Sequence, residues 1–380
     1  MPLVQRLRWL PYLIVYYLAC LTRRVHQDKV VFIEGTGTAL NGNLAWIREA
    51  LPVAYQVDEF FPARPSPPLA KAADRYRLVL ALAQAGVIFM DDYLQLVHAL
   101  RIRRGVRLVQ VWHAMGAMKK MGFSRVGRVS NAPPPTSLLH RNYTDVIVSS
   151  EAMRQIYAQA FKVSINKVAA LGTPRSDFFF DMDAQQAVRQ NLYASYPMLS
   201  GRRVIVFAPT YRDLGKGLLG YPPQFLDLDR IGRHLGANDI LVLKFHPFCN
   251  DHWRVPPGLA DKIVDLSGYP EFNHLLVVAD LLVTDYSSAI FDYALLKKPV
   301  LFYSPDMDAY DQTRGFYYPF DTYTYGPVVI DMDGLIDGLS STALDQNRWA
   351  SFTDLFLGSC DGQSTPRLIQ AIMGVGHGRD

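Results

Sequence analysis

Two histidines stand where a general base or a phosphate donor would be useful. His113 follows the apolar run RLVQVW (107–112), and His246 lies in DILVLKFHP (239–247). Imidazole has its ordinary pKa nearest neutrality, so a histidine at a strand end can take a proton from an attacking hydroxyl. Cations and hydroxyls gather at comparable places. They are Lys119 and Lys120 in WHAMGAMKK (112–120), Arg175 in LGTPRSD (171–177), and Thr210 and Arg212 in APTYRD (208–213). Lys244 precedes His246, Thr284-Asp285-Tyr286-Ser287-Ser288 ends another apolar run, and Arg314 follows further on. Such groups suit a phosphate or a diphosphate. Each also has an ordinary structural use: a histidine satisfied in the core, an arginine in a surface ion pair, an Asp285 or Ser287 that caps a helix. What lifts the set above its parts is coincidence, since five of eleven candidate strand ends carry such a cluster.

Those strand ends need a scaffold. LLVTDYSSAIFDYALLKKPVLFY (281–303) reads as strand, helix, strand, with the serines at the turn into the helix. Free backbone N–H groups at a helix start favour an anion, so the turn is either a capped helix or an anion site. Apolar runs of this kind recur at 30–35, 53–58, 86–90, 107–112, 145–150 and 168–172, then at 203–210, 239–247, 262–268, 281–285 and 299–305. Helix-like segments separate most of them; SEAMRQIYAQAF (150–161) is one, with Ser150 as its candidate cap. Alternating strands and helices predict parallel sheets covered on both faces. Eleven strands exceed one ordinary open sheet, so the expected fold class is α/β with two Rossmann-like doubly wound domains facing a cleft. The expected boundaries are 1–26 for an N-terminal amphipathic helix, 27–190 for the first domain, 191–345 for the second, and 346–380 for a helical segment packing back on the first. The proline-rich NAPPPTS (131–137) is read as a flap or a surface turn.

Composition narrows the classes. The 380 residues are 49% hydrophobic and 19% charged, which allows a sizeable core and argues against global disorder. A formal net charge of +4 suits anionic substrates or an anionic membrane surface and is too weak to suggest nucleic acid. The three cysteines are scattered, with neither zinc spacing nor a disulfide framework. No P-loop, H-E-x-x-H or G-x-S-x-G is present, and GTGTALNGN (35–43) lacks dinucleotide spacing. DMD occurs at 181–183, 306–308 and 331–333, read as solvent loops, so no metal site is indicated.

The N-terminus is distinctive. WLPYLIVYYLACLT (9–22) has fourteen uncharged residues between arginine pairs. A spanning helix needs about 18–20 apolar residues, so this one is too short to cross a bilayer. Trp9, Tyr12, Tyr16 and Tyr17 with flanking arginines fit a helix lying among lipid head groups, and equally a buried N-terminal helix.

VWHAMGAMKKMGF, LGTPRSDFF, FAPTYRD, LKFHP, DLLVTDYSSAIFDYALLKKPVLFY and RGFYYPF resemble, in order and spacing, the motifs of the CDP-glycerol glycerophosphotransferase family of teichoic acid synthesis. The likeness covers about residues 105–320. It implies a GT-B-like pair of domains, with the acceptor on the first and a CDP-glycerol or CDP-ribitol donor on the second. It implies transfer of an alditol phosphate, glycerol phosphate foremost, to a polyprenyl-diphosphate-linked saccharide acceptor with release of CMP. His113 would be the base and His246 a charge-stabilising group. Lys119, Arg175, Thr210, Arg212, Arg314 and the Thr284–Ser288 turn would bind substrate, with Asp285, Tyr286, Ser287 and Ser288 approaching the donor phosphates. The resemblance also favours a peripheral position on the cytoplasmic face of the membrane. The lack of a long N-terminal extension leans toward a compact primase-like enzyme. The family's usual W-H-G-T-P is here Trp112-His113-Ala114-Met115-Gly116, which leaves the backbone beside His113 open. A sugar-nucleotide glycosyltransferase and a non-catalytic nucleotide-binding protein are the alternatives.

Overall fold

The computed structural model describes residues 3–125, 133–134, 137–215, 217–249 and 253–374. Most of the proline-rich stretch 131–137 lies outside them. The chain divides into two compact units, Met1–Asp177 with Leu355–Asp380, and Phe178–Asp354.

The first unit is built on β1 (His26–Ile33), β2 (Gln56–Phe60), β3 (Ala85–Met90), β4 (Arg107–Gln110), β5 (Asp145–Ile147) and β6 (Val168–Ala169). They form one parallel sheet in the order β2-β1-β3-β4-β5-β6. β3 is buried along its whole length, as its unbroken apolar run requires of a central strand covered on both faces. One core layer joins Val30, Phe32, Phe89 and Val109 to Leu368, Ile369 and Ile372 of the helix Ser364–Met373. Asp177 starts that helix, its carboxylate accepting from the Ser364 and Thr365 N–H groups at 2.9 and 2.7 Å.

The second unit contains β7 (Arg203–Phe207), β8 (Arg212–Asp213), β9 (Leu219–Gly220), β10 (Asp239–Leu243), β11 (Ile263–Asp265), β12 (Leu281–Thr284), β13 (Val300–Tyr303) and β14 (Val328–Val329). Six of these make a parallel sheet in the order β11-β10-β7-β12-β13-β14, and β8 and β9 pair as an antiparallel ribbon. β7 and β12 are central, so the segments leaving them, 208–212 and 285–288, emerge side by side. The polar helix Met182–Ser195 was expected mostly in the first domain. It belongs to the second unit, packing against the helix Phe272–Val278. The strands β8, β9 and β14 had no expectation.

The N-terminal helix Leu3–Thr22 decides between two uses that its sequence left open for these aromatic residues. Trp9, Tyr12 and Tyr16, which fitted head groups and a buried helix equally, are buried, Tyr16 completely. Tyr12 lies 4.7 Å from Tyr76 of the helix Pro68–Leu82, and the Tyr16 hydroxyl donates to the Arg101 carbonyl at 3.2 Å. Leu10, Ile14, Tyr17, Leu18 and Leu21 are the exposed side. No helix among the described residues is long and apolar enough to cross a membrane.

Candidate active site

His113 follows β4 through an uncommon backbone. Trp112 has φ 50°, in the left-handed region, where a bulky residue is strained by roughly 1–2 kcal/mol. Two buried amides hold it there. The Trp112 N–H donates to Gln110 Oε1 at 2.8 Å, and Asn43 Nδ2 donates to the Trp112 carbonyl at 2.7 Å. Gln110 is anchored by donating to the Asp92 carbonyl and the Tyr143 hydroxyl, while Asn43 Oδ1 accepts from the Arg175 N–H at 3.0 Å. The indole and imidazole then stack at 4.4 Å.

His113 Nδ1 lies 3.2 Å from the Asp91 carbonyl oxygen. A carbonyl only accepts, so Nδ1 carries the proton and Nε2 keeps its lone pair. His113 is exposed as a residue, and its ring stacks on the Trp112 indole. Desolvation lowers its pKa below the ordinary 6.5, the positive charge of Arg175 adds to this, and Asp92 opposes it. A neutral imidazole with a bare Nε2 is the form a general base requires.

Three acids at the ends of β1 and β3 escaped the sequence reading. Glu34 and Asp91 are buried, and Asp92 is half-buried. Burial and the adjacent Glu34 push the Asp91 carboxyl up to about 8, and burial also raises Asp92. The glycine-rich loop after β1 turns its backbone donors inward: the N–H groups of Thr36, Gly37 and Asn41 point at the Glu34 carboxylate from 3.3–3.4 Å. Its anion is thus part of the protein. Among the described residues, no group of three or more His, Cys, Asp or Glu is placed to hold a metal.

The altered motif after His113 has a clear structure. Met115 is buried and Gly116 takes the left-handed conformation, φ 60°. The Gly116 N–H donates to Ser149 Oγ at 3.1 Å, and the Tyr157 hydroxyl donates to the Gly116 carbonyl at 2.9 Å. Lys119 is half-buried in the same loop. Ser150, expected to cap the following helix, instead donates its hydroxyl to the Leu355 carbonyl at 2.6 Å.

In the second unit, Arg212 is committed to carboxylates rather than exposed to a ligand. Its Nε and Nη2 donate to Asp306 at 2.7 and 2.8 Å, its Nη2 also to Asp285 at 2.9 Å, and its Nη1 to the Thr210 carbonyl at 2.6 Å. It is only 9% exposed, and its guanidinium lies over the Tyr286 and Tyr310 rings. Asp285 is fully buried and accepts from the Thr210 and Tyr286 N–H groups as well. Tyr286 is buried too, stacked on Tyr310 at 4.2 Å. Thr284 donates to the Ala208 carbonyl. These four residues, expected at the phosphates, tie the ends of β7, β12 and β13 together. Asp306, read as part of a solvent loop, is the second carboxylate of that knot. The other two DMD stretches begin helices, with Asp181 and Asp331 accepting from Ala184 and Gly334 N–H.

What this knot presents is a set of donors. Ser287 Oγ accepts the Ala289 N–H at 3.2 Å, a capping role, while the exposed Ser288 side chain makes no cap bond. Thr210 Oγ1 is buried with no hydrogen-bond partner among the described residues. After β10, His246 Nδ1 accepts from the Phe248 N–H at 3.1 Å, so the neutral ring carries its proton on Nε2. The Tyr211 ring packs tilted, 4.8 Å from His246, and its hydroxyl accepts from Arg314 Nη2 at 3.3 Å, joining two expected residues through one that was missed. Lys244 points away, donating to the Ser267 and Tyr269 carbonyls.

Doubly wound parallel sheets with polar side chains at the carboxyl ends of their strands define the Rossmann-like class of nucleotide-binding folds. The chain belongs to the CDP-Glycerol:Poly(glycerophosphate) glycerophosphotransferase family, whose pattern it matches over residues 15–374. It is 38% identical over 351 residues to the teichoic acid poly(ribitol-phosphate) polymerase of Bacillus spizizenii (strain ATCC 23059 / NRRL B-14472 / W23), covering 92% of this chain and 56% of that one. It is 35% identical over 362 residues to the teichoic acid ribitol-phosphate polymerase TarL of Staphylococcus aureus (strain NCTC 8325 / PS 47), covering 93% and 64%. The chain therefore spans little more than half to under two thirds of the length of these relatives. Its fold matches the H444N variant of the wall teichoic acid polymerase TagF with a TM-score of 0.76 and 21% identity over 98% of both chains.

Proposed function

We propose that the protein transfers an alditol phosphate from a CDP-alditol to a hydroxyl of a membrane-borne, polyprenyl-diphosphate-linked saccharide, releasing CMP in teichoic acid synthesis. The observation that carries this is the tautomer of His113: its Nδ1–H faces the Asp91 carbonyl, so Nε2 offers a lone pair. In the reaction, the acceptor oxygen gives its proton to His113 Nε2 and bonds to the phosphorus bearing the alditol. The bond from that phosphorus to the bridging oxygen breaks, and CMP leaves with the electron pair. His246 Nε2–H, Ser288, Thr210 and Arg314 supply hydrogen bonds to the phosphates, which gain charge on the leaving side. Lys119 and Arg175 add positive charge on the His113 side. Arg212, Asp285 and Tyr286 hold the strand ends in register.

Ribitol phosphate is the group we assign, because the two relatives above are named for it; glycerol phosphate is the competing choice. The exposed stripe of the N-terminal helix supports a peripheral position on a membrane surface, and we assign the cytoplasmic face. The test is CMP release from CDP-ribitol and CDP-glycerol with a prenyl-diphosphate disaccharide. Faster turnover of CDP-ribitol is expected, and His113→Ala should slow it by about 10²–10⁴-fold. Release of nucleotide only from sugar nucleotides would instead indicate a glycosyltransferase.

A further inference from the structure

The first unit holds a cavity of about 360 Å³ whose walls come from the N-terminal helix, the helix Pro68–Leu82 and the segment after β2. Arg64, Lys71, Arg75 and Arg77 line it, together with Glu59 and Asp74. Glu59 is answered from outside the lining by Arg48 at 3.3 Å, and Asp74 within it by Arg77 at 3.5 Å. Among the described residues, Arg64, Lys71 and Arg75 have no carboxylate at ion-pair distance. Arg75 lies 5.4 Å over Trp9, and Arg64 lies 5.0 Å over Phe61. Aromatic faces, and for Arg64 also the Thr38 carbonyl that accepts from Nη2, hold two of the charges in place without neutralising them.

The same two helices carry exposed hydrocarbon. Leu10, Ile14, Leu18 and Leu21 fall on one helical face, with Leu21 83% exposed, and Leu69 lies on the neighbouring helix. A soluble phosphate compound would match the cations and leave the aliphatic stripe in water. A bilayer offers anionic phosphate and hydrocarbon within one surface. We propose that this cavity receives the phosphate head group of an anionic bilayer lipid while the Leu10–Leu21 face rests in the adjoining acyl region. The proposal rests on the membrane-surface part of the function above and adds a defined lipid site to it.

The test uses the full chain. Titration calorimetry would measure binding of monomeric dihexanoyl-phosphatidylglycerol and of inorganic phosphate. Sedimentation would measure binding to phosphatidylcholine vesicles with and without phosphatidylglycerol. Lys71→Glu should weaken the short-chain lipid roughly tenfold and reduce binding to the anionic vesicles, with an unchanged thermal melt. Lys71→Gln with Arg75→Gln should do the same, provided its melt is unchanged. Leu18→Glu should release the protein from vesicles and still bind the short-chain lipid. Wild-type affinity for that lipid in Lys71→Glu would overturn the site. Inorganic phosphate binding as tightly as the lipid would overturn the lipid assignment. If Leu18→Glu still sediments fully, the membrane-surface reading fails, while the short-chain lipid result judges the cavity separately.

Discussion

His113 is prepared for proton transfer by contacts that do not touch substrate. The Asp91 carbonyl orients the ring, Gln110 and Asn43 hold the strained Trp112 peptide, and desolvation keeps the imidazole neutral. The acid limb of kcat/KM against pH should therefore have its midpoint below 6.5, a result that a pH series on CMP release can measure. A midpoint above that value would remove His113 as the titrating base. The neighbouring Asp91 makes a separate prediction. Its carboxyl titrates near 8 in the folded chain against an ordinary 3.8. Between those values the folded state holds a proton that the unfolded state has released, so its contribution to stability declines as pH rises from about 4 to about 8. Asp91→Asn should remove that decline, visible as a flatter melting temperature across the same range.

At the scale of elements, the second sheet's carboxyl edge is organised by an ion-pair knot. β7, β12 and β13 each deliver one member: the segment bearing Arg212, then Asp285, then Asp306. Arg212→Ala would leave two carboxylates without their partner in a buried site and should cost about 3–5 kcal/mol in denaturant unfolding. A loss of turnover with unchanged stability would return Arg212 to the role of phosphate ligand. The two serines of the next turn should separate in the same kind of comparison. Ser287→Ala removes a cap and should lower stability by about 1 kcal/mol. Ser288→Ala should leave the melt unchanged and weaken CDP-alditol binding, measured by calorimetry.

For the whole molecule, the N-terminal helix is both a structural element and an apolar surface. Its aromatic side completes the first unit's packing, so deletion of residues 1–24 should lower the melting temperature as well as reduce vesicle binding. Its exposed side can be tested without that damage. Ile14→Glu with Leu18→Glu should abolish sedimentation with anionic vesicles while the melt and turnover on a soluble acceptor analogue stay close to wild type. Salt should weaken the wild-type interaction only in part, because apolar burial persists when the charges are screened.

The amino-acid sequence by itself determined the two parallel sheets, because a strand covered on both faces must be an unbroken apolar run, and such runs are local. All eleven expected strands are present, and the strand ends marked the places where polar groups gather. The three unforeseen strands, β8, β9 and β14, have two residues each, too short for any periodic signal. Tertiary structure alone decided what the polar groups do there. Arg212 looked like a phosphate clamp, yet its partner Asp306 stands 94 positions away and reaches it only when β7 and β13 flank β12. Glu34 and Asp91 raise no motif, and they share a site because β1 and β3 are neighbours. Trp9, Tyr12 and Tyr16 have the composition of a membrane interface, and the helix Pro68–Leu82 turned them inward. Residue type states what a side chain can bind; which partner it meets depends on contacts between distant segments, and those exist only once the sheets have formed.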